Sequence, residues 1–230
     1  MTVSKRVSWL TALFVAAALM LTLIPATPAD ARAEKTYRVT ITNLTEGQPM
    51  TPFVVATHSR RARIFKPWRV ASDGLQSLAE NGGVPDLVAE LQGKRGFGDV
   101  QVAGSGPFNG GESVSVDVVS SPGNRFVSVA GMLICTNDGF GAVSRKHLSR
   151  NHTRTFYGYA WDAGTEINTE AYVDLVPPCD DLGQTGMTNP ELAQNGRVHH
   201  HSGIKGVGDL QPDVHGWHGP VIKVVVEPVG

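Results

Sequence analysis

What the chain lacks narrows what it can be. It has two cysteines, Cys135 and Cys179, and neither stands behind the N-terminal apolar run where a lipoprotein carries its lipidated thiol. A lipid anchor of that kind is excluded. Charged residues make up only 18% of the sequence, the formal net charge is −1 and no basic run dominates. The electrostatic footprint of a nucleic-acid binder is missing, so nucleic acid is excluded as a partner. After residue 24 no apolar run is long enough to span a bilayer. The Gly-rich phosphate loops, the H-E-x-x-H pair and the G-x-S-x-G elbow are all absent, as is any internal repeat.

What is present begins with an address. Lys5 and Arg6 precede an almost wholly apolar stretch from Val7 to Ile24, which Pro25 ends. Ala29-Asp30-Ala31 and Ala31-Arg32-Ala33 then offer small-x-small cleavage sites. Residues 1–33 read as a cleaved signal peptide rather than an uncleaved anchor, and the chain as secreted or periplasmic. Residues 34–230 are enough for one domain with one core. Both cysteines follow the signal, which fits an oxidising compartment and a Cys135–Cys179 bridge; two unrelated buried thiols are the alternative.

The 26 glycines and 14 prolines suit a turn-rich β protein. Tyr37-Arg38-Val39-Thr40-Ile41-Thr42 alternates as a half-buried strand does, and Ser113 to Val119 repeats the pattern. Further strands are expected at 52–57, 100–103, 125–135, 154–161, 171–176 and 221–229. Between them, Leu75, Leu78 and Ala79, then Leu87, Val88 and Leu91, have helical spacing on either side of Asn81-Gly82-Gly83. These predict two short helices near residues 73–92, an insertion over one end of a β core. Seven or eight closely spaced strands argue an all-β antiparallel sandwich. Asp180 to Arg197 is polar and turn-rich, the expected mobile loop.

Two segments carry the chemistry. Cys135-Thr136-Asn137-Asp138-Gly139-Phe140 and Trp161-Asp162-Ala163-Gly164-Thr165-Glu166 each end an apolar run, and Cys179 follows the second. Asp138, Asp162 and Glu166 offer hard oxygens on turns, the donor set that suits calcium. The alternative is that both aspartates are ordinary Asx-turn residues. His199, His200, His201, His215 and His218 form a second cluster. Imidazoles suit transition metals, but zinc spacing is missing, so side chains packed on the sheet are the better reading, with His201 fixing the Gly203–Asp209 turn. Arg60, Arg61, Arg63 and Lys66 make a small basic patch, either a solvated loop or a contact for an anionic polysaccharide or membrane surface.

The stretches 37–45, Val55-Ala56-Thr57-His58 and 71–82, together with the two acidic segments and 201–210, resemble the spondin domain. This is the N-terminal module of F-spondin-like matrix proteins, here in its stand-alone secreted bacterial form, and the likeness runs over about residues 36–228. The resemblance implies an eight-stranded antiparallel β-sandwich similar to C2 domains. It also implies a calcium ion held by three acids, which fall on Asp138, Asp162 and Glu166. The last is usually aspartate in animal members, so the longer carboxylate alters the fine geometry. The expectation is a non-enzymatic calcium-binding domain for adhesion or extracellular interaction, with an extracellular protein or polysaccharide as partner. The alternative is an exported metal-dependent hydrolase using the His199–His218 region.

Overall fold

A computed structural model describes residues 34–179 and 189–229. The expected signal peptide and residues 180–188 of the expected mobile loop lie outside the described residues. Among those described are nine strands: β1 (Lys35–Asn43), β2 (Phe53–His58), β3 (Phe97–Ala103), β4 (Ser113–Ser120), β5 (Phe126–Met132), β6 (Gly139–His147), β7 (Arg154–Asp162), β8 (His199–His200) and β9 (Ile222–Val229). They pair antiparallel throughout in the order β3-β2-β5-β6-β7-β9-β1-β4, with the two-residue β8 beside the end of β7. The expected antiparallel β-sandwich is therefore what forms, from eight long strands and a short ninth.

The sandwich arises because β7 changes partner along its length. Arg154 to Gly158 pair with β9, and Tyr159 to Asp162 pair with β6. The crossing point needs glycine: a Cβ on Gly158 would lie 2.5 Å from the Ala142 carbonyl oxygen and 2.6 Å from the Ile222 side chain. On one side, β1 alternates as the sequence does. Tyr37, Val39 and Ile41 face inward, against Phe53, Val55, Val127, Val129, Val224 and Val226. Outward, Arg38 grips Asp117 with two bonds of 2.9 Å, while Thr40 meets Ser115 and Thr42 meets Ser113 hydroxyl to hydroxyl at 2.8 and 2.9 Å. Exposed cross-strand pairs of this kind stabilise by about 0.2–1 kcal/mol each.

In the other half of the sandwich, β2 is buried at all six positions and β5 at all but its first. A sheet buried on both sides needs a second cover. Helices α1 (Asp73–Asn81) and α2 (Val84–Gln92) supply it, laying Leu75, Leu78, Leu87 and Leu91 on Val54, Ala56, Ala130 and Phe140. The helices thus lie where the leucine spacing puts them, but on a sheet face and not over one end of the core. Gly82 ends α1 in the left-handed conformation at φ 65°, its N–H returning to the Leu78 carbonyl. The start of α1 is capped from its neighbour, where Glu90 of α2 accepts from the Gly74 N–H at 2.8 Å.

Two strand assignments change. Residues 171–176 are not a strand: Tyr172–Asp174 is a 3₁₀ turn, and the Tyr172 N–H bonds the Asp209 carboxylate at 2.9 Å. Gly139–His147 is a strand that alternation did not mark, because its first five residues are buried on both faces.

The chain of paired strands ends at β3 and β4, which lie side by side and are closed by side chains. Asp99 of β3 accepts the Val119 N–H of β4 at 2.7 Å, and Thr57 donates to the Val119 carbonyl at 2.9 Å while accepting the Asp99 N–H at 2.9 Å. Asp99→Ala strands the Val119 donor, so a loss of about 1–3 kcal/mol is expected in urea unfolding. Stability within error of the wild type would show that water replaces the carboxylate there.

Candidate functional site

The acidic segments meet because of strand register. In the turn between β5 and β6, the Thr136 hydroxyl donates to the Leu133 carbonyl at 2.6 Å and accepts the Gly139 N–H at 2.9 Å. Gln48 braces the same turn, bonding both the N–H and the carbonyl of Cys135 at 3.1 Å. Gly139 then pairs with Asp162, and the Ala163 N–H reaches the Asp138 carbonyl at 3.0 Å. Asp138 and Asp162 therefore close neighbouring strands at one end of the sandwich. Beyond them the chain turns at Gly164, φ 73°, where a Cβ would come within 2.5 Å of the Arg197 nitrogen.

All three predicted acids are buried, at 0%, 2% and 3% exposure for Asp138, Asp162 and Glu166. The Asp138 Oδ2 atom accepts from the N–H of Thr165 at 2.7 Å, the N–H of Glu166 at 3.1 Å and the Thr165 hydroxyl at 3.2 Å. Asp162 accepts from the Gly164 N–H at 2.7 Å and the Asn168 amide at 2.8 Å. The turn role weighed for Asp162 from the sequence is thus present. Two oxygens are left over: Asp138 Oδ1 and Glu166 Oε1 are buried without a hydrogen-bond partner. Among the described residues no three His, Cys, Asp or Glu side chains converge into a ready-made metal site.

Electrostatics make the same pair conspicuous. Burial, reinforced by Asp162, pushes the Asp138 carboxyl up to about 6 against the pull of its three hydrogen bonds. Burial, then Glu80 and Asp138, push Glu166 up to about 8. Glu80 was not foreseen. It stands in α1, is 5% exposed, and brings the helical layer's charge to the acidic loops. An acid near the end of a short helix reads as solvated, so nothing local marked it.

Cys135 and Cys179 form the expected disulfide across 44 residues. Closing a loop of that length stabilises by ~4 kcal/mol in the chain-entropy account. Cys135 packs there with Leu175, Ile204 and Leu210.

A fifth buried acid, also unforeseen, behaves differently. Glu170, 4% exposed, accepts from the N–H groups of Lys205, Gly206 and Val207 at 2.7, 2.6 and 3.0 Å, and its carbonyl holds Asp209 and Leu210. It organises the Gly203–Asp209 turn. His201 adds the single Gly203 N–H bond at 3.0 Å.

The histidines are placed as packing groups. His200 stacks on Trp161 at 4.0 Å, His201 lies 5.1 Å from the Trp217 ring, and His215 accepts the Gln211 N–H at 3.0 Å. His199 contacts the Arg197 carbonyl at 2.9 Å and stands 3.5 Å from Asp162. His218 borders a surface groove with Trp217 and Leu44. The described part of the expected mobile loop is tied down: Ile167 bonds the Leu192 carbonyl at 2.9 Å and Gln194 the Thr165 carbonyl at 2.7 Å.

A disulfide-closed β-sandwich with buried acids on its end loops defines a class of extracellular module. The chain belongs to the Spondin_N family, whose model matches residues 37–173. The match takes in Asp138, Asp162 and Glu166 and ends before Cys179, the histidine segment and β9. No curated protein matches the chain. Among the described residues no helix is long and apolar enough to cross a membrane.

The raised carboxyls fix a sign. In a metal-free domain, a carboxyl that holds its proton more tightly when folded contributes stability below its ordinary pKa and loses it as pH rises through the folded value. For Asp138 and Glu166 that window runs from about 4 to about 8. Chelated wild type is therefore expected to lose stability relative to Glu166→Gln as pH rises across this span. Parallel stability–pH curves for the two proteins would show that Glu166 titrates normally.

Proposed function

We propose that the chain is a non-enzymatic extracellular interaction domain whose acidic loop end is completed by one calcium ion, with Asp138, Asp162 and Glu166 as its protein ligands. The observation that carries the reading is the pair of buried, unpartnered oxygens, Asp138 Oδ1 and Glu166 Oε1, among like charges. Burying such groups is costly unless a cation or a proton meets them. Carboxylate oxygens are hard donors, and calcium accepts irregular ligand shells that mix carboxylates with loop carbonyls. The Glu166 side chain, one methylene longer than aspartate, remains a competent ligand. The disulfide and the family's extracellular setting agree with a compartment rich in calcium. Adhesion is the function this arrangement serves: a cation at the loop end fixes the loops that a partner would touch.

Titration of calcium into chelated protein, with thermal unfolding alongside, tests the reading. Binding of about one ion is expected, with the midpoint raised by roughly 5–10 °C at a hundredfold excess over Kd. Asp162→Ala should abolish the shift. An unchanged wild-type midpoint, with no binding heat, would leave the three acids as turn residues only.

A further inference from the structure

The chain is close to neutral overall, yet its positive charge is gathered. A cleft of about 300 Å³ opens between the loop that follows β2 and the segment that follows α2. Arg61, Arg63, Lys66, Arg69, Lys94 and Arg95 line it, six of the chain's 20 lysines and arginines, and no acidic residue does. Lys94 is paired with Glu90; among the described residues the other five enter no ion pair. The Arg63 Nε atom is buried without a hydrogen-bond partner. The walls between the cations are apolar, from Ile64, Phe65, Leu75 and Phe97. This is the size at which ligand pockets begin, and like charges left unpaired around a concavity concentrate an attractive field for anions.

Beside the cleft stands Trp68, 68% exposed and at φ 63°. Positive φ is an outlier for a bulky side chain and is strained. The backbone is held there from outside. The Trp68 N–H bonds the Val198 carbonyl at 2.8 Å, the Arg197 guanidinium bonds the Trp68 carbonyl at 3.2 Å, and the Val198 N–H bonds the Arg69 carbonyl at 2.9 Å. The strained backbone thus fixes an indole in solvent, in the segment between Lys66 and Arg69, both of which line the cleft.

From this we infer that the cleft is a binding site for an acidic polysaccharide, a chain of sugar rings bearing carboxylate or sulfate groups. The guanidinium and ammonium groups take the anions, and Trp68 offers a flat face to a sugar ring. The distribution of six cations along a groove suits a repeating anion better than a single one. A membrane surface is the poorer fit: the cations line a concavity that a flat bilayer cannot enter, and Trp68 sits on a backbone pinned by Val198 and Arg197. The inference rests on the reading of the chain as an extracellular interaction domain but not on the proposed calcium ion, since the cleft shares no residue with the acidic loops.

The test is titration with a size-defined heparin oligosaccharide and with polygalacturonate, in chelator throughout, so that a failed calcium site cannot mask the result. Wild type is expected to bind at least one of them saturably and to weaken as salt rises. Arg61→Glu combined with Arg69→Glu, both exposed positions, should lower affinity by about tenfold or more with the thermal midpoint unchanged. Trp68→Ala should weaken polysaccharide binding but leave inorganic polyphosphate, which has no ring to stack, as in wild type. The inference is overturned if neither polysaccharide binds, if the charge-reversed protein binds like wild type, or if phosphatidylglycerol-containing vesicles are held as tightly as the polysaccharide with the same dependence on Arg61 and Arg69.

Discussion

A single strand, β7, belongs to both halves of the sandwich, and the placement of everything else follows from that sharing. A strand that trades one neighbour for another must do so without leaving backbone donors unpaired in the interior. β7 manages this around Gly158 and Ala160: the Val221 N–H takes the Gly158 carbonyl at 2.8 Å, and the His201 N–H takes the Ala160 carbonyl at 3.1 Å. Because side chains alternate along a strand, a one-residue slip here would turn Trp161 and Asp162 to the opposite faces. The register that builds the core is therefore also the register that delivers Asp162 to Asp138.

Four of the five buried acids, those on the loops at this end, divide by how well they are satisfied. Glu170 receives three N–H donors on its two oxygens and behaves as a fixed strut for the turn it holds. Asp162 has a donor on each oxygen. Asp138 and Glu166 each keep one bare oxygen, and each is pushed upward by burial and by neighbouring carboxylates. The difference is physical rather than positional. Glu170, held by three donors, asks nothing further of its surroundings, Asp162 keeps a lone pair on each oxygen, and the half-bonded Asp138 and Glu166 in a field of like charge favour a proton or a cation.

The strands of half-exposed sheets were legible because alternation is a local signal: Tyr37, Val39 and Ile41 point inward, and Arg38 and Thr40 outward, as their types demand. β6 was illegible for the opposite reason, since Gly-Phe-Gly-Ala-Val is covered on both faces and has no period to read. The helices were visible from their leucines, but which surface they cover depends on β2 and β5 being apolar on both sides, a long-range fact. The site divides in the same way. Asp138, Asp162, Glu166 and the cysteine pair announced themselves by residue type in turns, while Glu80 and Glu170 matter only through contacts distant in sequence. Arg61 and Arg63 could be seen as a patch, but the cleft they share with Lys94 and Arg95 needs the approach of α2, which no local spacing reveals.

The seam between β3 and β4 has a consequence for how the protein behaves in a crowded compartment. An open sheet presents two rows of bare amides on which further chains can add. Here Asp99 and Thr57 turn those two rows toward each other and occupy the Val119 amide and carbonyl with side chains. The closure gives the sandwich some of the edge protection of a barrel without a continuous ladder around it. Being made by side chains, it is also the line along which the sheet can part without breaking a strand pairing. Transient opening at that line exposes two template edges at once, so the seam is the place where self-association would begin.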